Sequence, residues 1–95
     1  MSAPVAIAAS SVPRLPRHVK FRFDETREKW LLLAPERVLI PGEIAMEILH
    51  RVDGAASVGA IAETLAEKFS APRDVVESDI IQLLQDLADK GMIVA

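Results

Sequence analysis

The spacing of hydrophobic residues changes once along the chain, at Pro41-Gly42. Before this point apolar residues alternate with polar ones, which is typical of a half-buried strand, and after it they recur every three or four residues, as on a helix. A chain whose strands come first and whose helices follow folds as an α+β domain. The sequence therefore predicts a winged helix-turn-helix-like fold, in which a three-stranded antiparallel sheet is followed by three helices.

The three strands are predicted from the alternation and from the residues that interrupt it. The segment His18–Asp24 gives strand 1, and the polar residues 24–27 form a hairpin turn into strand 2 at Glu28–Leu33. Strand 2 is apolar on both faces, so we expect it in the centre of the sheet. Strand 3 is the short segment Arg37–Ile40, which Pro41 ends, and we expect it at an edge.

Amphipathic spacing predicts the three helices. Helix 1 runs from residue 43 to about residue 52, and helix 2 runs from residue 58 to residue 69 after the capping residue Ser57. Helix 3 runs from Pro72, in its first turn, to about Lys90. Residues 92–94 are then expected to form a short extended segment that packs back on the domain.

The first thirteen residues differ in composition from the rest of the chain. They are mostly small and uncharged, they include prolines, and they lack the basic start of a secretory signal. We therefore predict a flexible tail over residues 1–13 and a single domain over residues 14–95. The chain has no cysteine and no apolar stretch long enough to span a bilayer, so we expect a cytoplasmic location without membrane association.

Side chains that could support catalysis are few. The two histidines, His18 and His50, have no serine or cysteine nucleophile pattern near them. One face of helix 1 carries three potential metal ligands, Glu43, Glu47 and His50, but they indicate a metal site only weakly. We therefore predict that the chain is not an enzyme and that it holds neither a metal ion nor a cofactor.

Helix 2, a short turn and helix 3 have the layout of a DNA-binding helix-turn-helix. Helix 3 nevertheless carries two basic and five acidic residues over 73–90, whereas a phosphate backbone requires the opposite sign. Residues 14–37 have seven basic and four acidic residues, a net charge of +3, and residues 38–95 have four and ten, a net charge of −6. No nucleic-acid partner is therefore predicted, and a DNA-binding or structural winged helix stays the alternative to a peptide-binding module.

Strand 3 and helix 3 together indicate a peptide groove. The apolar surface of helix 3 extends beyond its core stripe to Val75, Ile81 and Ala88, which a central position in the fold explains as well as a groove does. Charged residues and Pro41 flank strand 3, but its centre is β-prone and unprotected. A peptide can pair with such an edge while its side chains enter a groove along the helix.

Six segments stand in an order and spacing that are informative together. They are Pro13–Leu15, His18–Phe23, Trp30–Leu33, Pro35–Leu39, Ile48–Leu49 with Asp53–Gly54, and Leu84–Val94. Together they resemble the PqqD family, the peptide chaperones of pyrroloquinoline quinone (PQQ) biosynthesis, over residues 13–95. The resemblance implies a RiPP recognition element that performs no chemistry itself, binds the precursor peptide PqqA, and delivers it to the radical SAM enzyme PqqE.

The resemblance also implies where the peptide binds, because in related recognition elements it adds as an antiparallel strand to strand 3 and lies against helix 3. The residues so implicated are Arg37, Val38, Leu39, Ile40, Val75, Val76, Asp79, Ile80 and Leu83. An exposed edge also permits self-pairing, so a homodimer through strand 3 or through the N-terminal arm is left open.

Overall fold

The computed structural model describes residues 6–95, which form three strands and then three helices. The strands are β1 (Lys20–Asp24), β2 (Lys29–Ala34) and β3 (Arg37–Leu39), and the helices are α1 (Glu43–Leu49), α2 (Val58–Phe69) and α3 (Arg73–Asp89). The strands form one antiparallel sheet. The predicted α+β, winged-helix-like architecture is therefore confirmed.

β2 lies in the centre of the sheet, between β1 and β3. Its Leu32 pairs with Phe21 of β1 on one side and with Leu39 of β3 on the other. Leu31 and Leu32 point to opposite faces, and both are buried, with 4% and 1% of their surfaces exposed. The central position of β2 and the edge position of β3 are confirmed, and β1 forms the second edge.

A side chain holds the turn between β1 and β2. One carboxylate oxygen of Asp24 accepts hydrogen bonds from the backbone amides of Thr26 and Arg27, at 2.9 and 3.3 Å. The other accepts a hydrogen bond from the Arg27 guanidinium at 2.8 Å. The bond from the Arg27 amide is the largest cause that lowers the pKa of Asp24 below its ordinary value. The polar turn predicted at residues 24–27 is thus an aspartate-centred turn.

α1 ends at Leu49, about one turn earlier than the sequence predicted. The amides of the two residues after its cap donate to carbonyls only three residues back, Arg51 to Ile48 and Val52 to Leu49. Such short bonds tighten the chain into turns instead of extending the α-helix. Gly54 follows with a φ of 79°, which favours glycine. The prediction of a helix to residue 52 was wrong, because the apolar period continues through these turns.

The ends of α2 and α3 follow from their terminal residues. The hydroxyl of Ser57 accepts a hydrogen bond from the amide of Ala60 at 3.1 Å, as predicted for a capping residue. Pro72 occupies the capping position of α3 instead of its first turn. After α3, Met92 and Ile93 are buried, and Val94 pairs with Arg14. The predicted return of residues 92–94 to the domain is confirmed.

A single hydrophobic core joins the sheet to the helices. Its buried residues are Ile7, Val19, Leu32, Ile48, Leu49, Val58, Ile61, Ala62, Leu65, Ile80, Leu84, Leu87, Met92 and Ile93. Burying an aliphatic side chain of this size contributes about 1.5–3 kcal/mol. The core therefore fixes the position of α3 relative to the sheet, and it lies behind the candidate site.

Residues 6–13 lie against the start of α2. Ile7 is 7% exposed, and its amide donates to the side-chain oxygen of Gln85 at 2.9 Å. The first two amides of α2 donate to carbonyls of this segment, Val58 to Ser11 at 2.8 Å and Gly59 to Ala9 at 2.9 Å. Residues 1–5 lie outside the described residues. The division into a flexible tail over 1–13 and a domain over 14–95 stays a prediction.

Candidate peptide-binding site

One cavity lies near the start of β3 and the end of α3, and another lies near the N-terminal half of α3. Arg37, at the start of β3, shares a cavity of about 310 Å³ with Lys90 and Gly91, which follow α3. Beyond β3 the chain enters α1, and Ile44 of α1 shares a second cavity with the N-terminal half of α3. β3 and α3 therefore point in opposite directions, and the space between them is a candidate channel for an extended peptide.

The second cavity is almost entirely apolar, and we refer to it as the apolar cavity. It has a volume of about 200 Å³ and is lined by Ile44, Ile48, Leu65, Phe69, Ala71, Val75, Val76, Asp79 and Ile80. Ile44, Phe69 and Val75 are 59%, 46% and 52% exposed, so they form its mouth. Ile48, Leu65 and Ile80 are buried and form its floor. Such an opening can receive an apolar side chain.

Four of the five predicted α3 residues line this cavity together. They are Val75, Val76, Asp79 and Ile80. Leu83, the fifth, is half-buried, packs against the hydrophobic core and does not line the cavity. One helical turn separates Leu83 from Asp79, so the cavity coincides with the N-terminal half of the helix alone.

Of the four predicted strand residues, Arg37, Val38 and Leu39 form β3 at the edge of the sheet, whereas Ile40 follows the strand, and none of the four lines the apolar cavity. Val38 and Ile40 are 59% and 58% exposed, whereas Leu39 is half-buried and packs against the core. This alternation follows the period of a strand. Arg37 is exposed and lines the cavity at the other end of the channel. The structure thus places the predicted site residues partly along an exposed sheet edge and partly around the apolar cavity.

α1 and α2 contribute cavity residues that the sequence did not indicate as part of a site. Ile44, Ile48 and Leu65 follow the same apolar period as core residues, so their spacing does not distinguish a cavity wall from a buried contact. Phe69 carries a clearer signal, because it is a large aromatic residue at the end of α2, where the chain turns through Ser70 with a φ of 51°. Phe69 groups with the exposed Ile44 and Val75 around one opening, which marks a binding surface more clearly than a single exposed residue does.

The wide apolar surface of α3 has two explanations, and each accounts for some of its residues. Ile81 and Ala88 pack against the hydrophobic core, as a central helix requires. Val75 is exposed at the mouth of the apolar cavity. The surface is therefore wide because α3 packs on the core along its length and also borders a cavity at its N-terminal end.

Two cations hold the carboxylate of Glu47 beside the apolar cavity. One oxygen lies 2.9 Å from the Arg51 guanidinium, and the other lies 2.8 Å from the Lys68 amine. The hydrogen bond from Lys68 is the largest cause that lowers the pKa of Glu47. Because Glu47 belongs to α1 and Lys68 to α2, this pair ties together two helices that line the apolar cavity.

Within residues 6–95, no group of three or more histidine, aspartate or glutamate side chains is placed to hold a metal ion. Over the same residues, no helix has the length and apolar character needed to cross a bilayer. The geometry instead directs attention to the channel between β3 and α3.

Comparison with known proteins identifies the family. A family model described as coenzyme PQQ synthesis protein D (PqqD) matches residues 29–93, which is more than half of the chain. The chain belongs to the PqqD family. A PqqD-family relative, the PqqA binding protein of Rhodopseudomonas palustris (strain HaA2), is 56% identical over 89 residues, covering 94% of this chain and 87% of the relative. The resemblance read from the sequence is therefore confirmed.

Two further PqqD-family comparisons concern a fused relative. The bifunctional coenzyme PQQ synthesis protein C/D of Methylorubrum extorquens is 43% identical over 90 residues, covering 95% of this chain but 24% of that protein. The solution NMR structure of the PqqD truncation of Methylobacterium extorquens PqqCD, a stand-alone RiPP recognition element, matches with a TM-score of 0.81. It is 42% identical, and the match covers 95% of this chain and 96% of the truncation. The fold described above thus has a counterpart in the PqqD family.

Proposed function

We propose that this chain is a peptide adaptor of PQQ biosynthesis, which binds the precursor peptide PqqA by strand addition and presents it to the radical SAM enzyme PqqE. Membership of the PqqD family and the PqqA-binding relatives support this role. The observation that carries the proposal is geometric. The exposed edge strand begins near the end of α3, and the N-terminal half of α3 opens into an apolar cavity.

The edge of β3 supplies the main-chain part of the interaction. Within residues 6–95, β3 pairs with β2 alone, so its outer side faces no other strand. An incoming peptide strand would hydrogen-bond to these backbone groups whatever its sequence. The exposed side chains of Val38 and Ile40 would contact the neighbouring side chains of the added strand. β3 therefore contributes affinity more than selectivity.

The apolar cavity supplies selectivity. Val75, Val76 and Ile80 offer an apolar wall, and Asp79 places a carboxylate at its border. An apolar side chain that enters removes its own surface and the surface of the exposed mouth from water, which stabilises the complex. A peptide with a polar residue at the corresponding position would lose this contribution.

The adaptor itself contributes no catalytic step in this proposal, and the chemical modification of the peptide belongs to PqqE. The role of the adaptor is to raise the local concentration of the peptide at the enzyme, as linked binding sites do. The proposal includes a cytoplasmic location, because a ribosomally made precursor begins there. The chain has no cysteine, so no disulfide requires an oxidising compartment.

A homodimer through β3 would compete with this function. Two copies that pair edge to edge would cover the same backbone groups that the peptide needs. Peptide binding and self-pairing through β3 therefore exclude each other, and adding PqqA should dissociate any dimer of this kind.

The test is an amide chemical-shift titration of ¹⁵N-labelled protein with synthetic PqqA. We expect saturable shifts at Arg37–Ile40 and at the predicted α3 residues Val75, Val76, Asp79, Ile80 and Leu83. Exposed residues on the far side of α2, such as Glu63, serve as internal controls and should not shift. Unchanged spectra at high peptide excess would overturn the proposed function, and saturable shifts confined to other surfaces would overturn the site.

A further inference from the structure

A second cavity with different chemistry lies next to the apolar cavity. It has a volume of about 350 Å³ and is lined by Trp30, Glu43, Ile44, Met46, Glu47, His50 and Phe69. We refer to it as the mixed cavity. Ile44 and Phe69 line both cavities, so a peptide side chain in one cavity and its neighbour in the other would be separated only by these two residues.

We propose that the mixed cavity is a specificity pocket for a basic side chain, lysine or arginine, of the bound peptide. The inference rests on the proposed function and adds the chemical class of residue that the peptide must present. Lysine and arginine combine an apolar stem with a cationic end, and the mixed cavity offers a surface for each part.

The apolar stem matches one side of the cavity. Ile44, Met46 and Phe69 provide aliphatic and aromatic contacts near the boundary with the apolar cavity. A side chain that leaves the channel at this point would lay its methylene groups along them. A purely apolar guest would satisfy these walls but would leave the polar part of the cavity without a partner.

The aromatic wall matches the cationic end. The Trp30 ring stacks on Phe21 at a centroid distance of 4.8 Å and meets the ring of His50 edge-on at 4.6 Å. These contacts hold the indole in one orientation. A cation over a tryptophan ring gains more than over any other aromatic side chain.

The carboxylates add charge complementarity. Glu47 is already engaged by Arg51 and Lys68, whose hydrogen bonds keep its pKa below the ordinary value. Glu43, in contrast, forms no ion pair or side-chain hydrogen bond with any residue of 6–95. Glu43 is therefore the carboxylate that is free to pair with a guest cation.

The position of the cavity predicts where the basic residue stands in the peptide. α1, which supplies Glu43 and Ile44, follows the C-terminal end of β3. A peptide that pairs antiparallel with β3 begins its strand where β3 ends. The residue that reaches the mixed cavity should therefore precede the strand-forming segment of the peptide.

The experiment combines one change in the protein with one in the peptide. Synthetic PqqA is N-acetylated, so that its terminal amine cannot act as the cation, and each lysine or arginine before the strand-forming segment is replaced in turn by norleucine. Wild-type protein and Glu43→Gln are titrated with both forms. Glu43→Gln alone, or the norleucine replacement that removes the bound cation alone, should raise Kd about three- to tenfold. The two changes together should raise Kd little more than either one does, because both remove the same interaction.

A matched charge variant and the NMR signal of Trp30 serve as controls for the measured Kd values. Glu36→Gln removes the same charge at the cavity beside the start of β3, so its effect on Kd should be independent of the norleucine replacement. The indole N–H resonance of Trp30, the only tryptophan in the chain, should shift with the basic peptide and shift less with the norleucine form.

The outcomes separate this inference from the proposed function. If both peptide forms bind wild-type protein equally, if Glu43→Gln weakens them equally, or if PqqA has no basic residue before the strand, the basic pocket is wrong while peptide binding stands. If neither form binds the wild-type protein, the proposed function itself fails, and the pocket for its peptide fails with it.

Discussion

At the scale of single residues, the informative side chains are large, apolar and exposed. Ile44, Phe69 and Val75 line the apolar cavity, Val38 lies on β3, and Ile40 directly follows that strand. Scattered exposed apolar residues are common on proteins, but a group around one opening usually marks a binding surface. Their positions follow the channel that the proposed function assigns to the peptide.

Val75→Asp tests the mouth of the apolar cavity. The substitution places a charge where the peptide side chain would enter, so it should weaken PqqA binding by about tenfold or more. Because Val75 is half exposed, the free energy of unfolding should change by less than about 1 kcal/mol. Calorimetric titration and urea unfolding measure the two effects.

Gln82→Asp is the matched control for this prediction. It adds the same charge to an exposed position of α3 that does not line the apolar cavity. Equal weakening of peptide binding by both variants would show that added negative charge, not the cavity, is responsible.

At the scale of elements, the apolar cavity depends on how α1 meets α2 and α3. α1 is only seven residues long, and short helices gain little from their own backbone hydrogen bonds. Buried Ile48 and Leu49 attach it to the core, and the pair of Glu47 with Lys68 attaches it to α2. The walls formed by α1 are therefore set by tertiary contacts.

Glu47→Gln tests the tie between α1 and α2. The pKa of Glu47 is lowered from its ordinary value of 4.5, first by the hydrogen bond from Lys68. A lowered folded-state pKa stabilises the fold above pH 4.5, and this contribution is lost as the pH falls through the folded-state value. The variant should be less stable at neutral pH and should lose less stability on acidification, as urea unfolding between pH 7 and pH 3 would measure.

Glu63→Gln is the control for the acid dependence. Glu63 lies on the exposed face of α2 and forms no ion pair within residues 6–95. It should keep the wild-type pH profile. If Glu47→Gln also keeps the wild-type profile, the pair with Lys68 does not contribute to stability.

At the scale of the whole molecule, residues 6–13 connect distant parts of the fold. Ile7 enters the core and bonds to Gln85 of α3, while carbonyls of the same segment satisfy the first amides of α2. Amides in the first turn of a helix have no partner within the helix, so this segment acts together with Ser57 as its cap. The N-terminal arm thus supports the two helices that border the apolar cavity.

Ile7→Ala tests whether the arm stabilises the domain. Loss of the buried side chain should reduce the free energy of unfolding by about 2–5 kcal/mol, the range for an aliphatic core residue. Val12→Ala, in the same arm at a position that is 38% exposed, should cost less than about 1 kcal/mol. If Ile7→Ala and Val12→Ala have equal and small effects on thermal and urea unfolding, the result would instead support the predicted flexible tail.

The charge of the molecule separates peptide binding from DNA binding. Strand addition beside an apolar cavity, with at most one ion pair, should change PqqA affinity less than about threefold between 50 and 200 mM salt. A protein that contacts several phosphates would lose about 10³-fold or more over this range. Steep weakening of peptide binding with salt would indicate that charge, not the groove, dominates the complex.

Much of the fold followed from local patterns. Alternation placed the strands, the two-faced apolar run placed β2 in the centre, and Ser57 marked the start of α2. The end of α1 was missed because the apolar period continues into turns that the tertiary contacts tighten. On α3 the structure places four of the five predicted site residues around one cavity and packs Leu83 on the core, and their role in peptide binding stays a prediction.

By itself, the sequence determined the order of strands and helices, the family and the apolar faces, because hydrogen bonding and hydrophobic period act between residues that are close along the chain. Only the tertiary structure decided which apolar residues stay uncovered, that α1 and α2 complete the apolar cavity, and that Trp30 and Glu43 share the mixed cavity. The spacing of apolar residues along the sequence indicates which side of a strand or helix is apolar. Whether that side becomes core or the wall of a cavity depends on which other element packs against it.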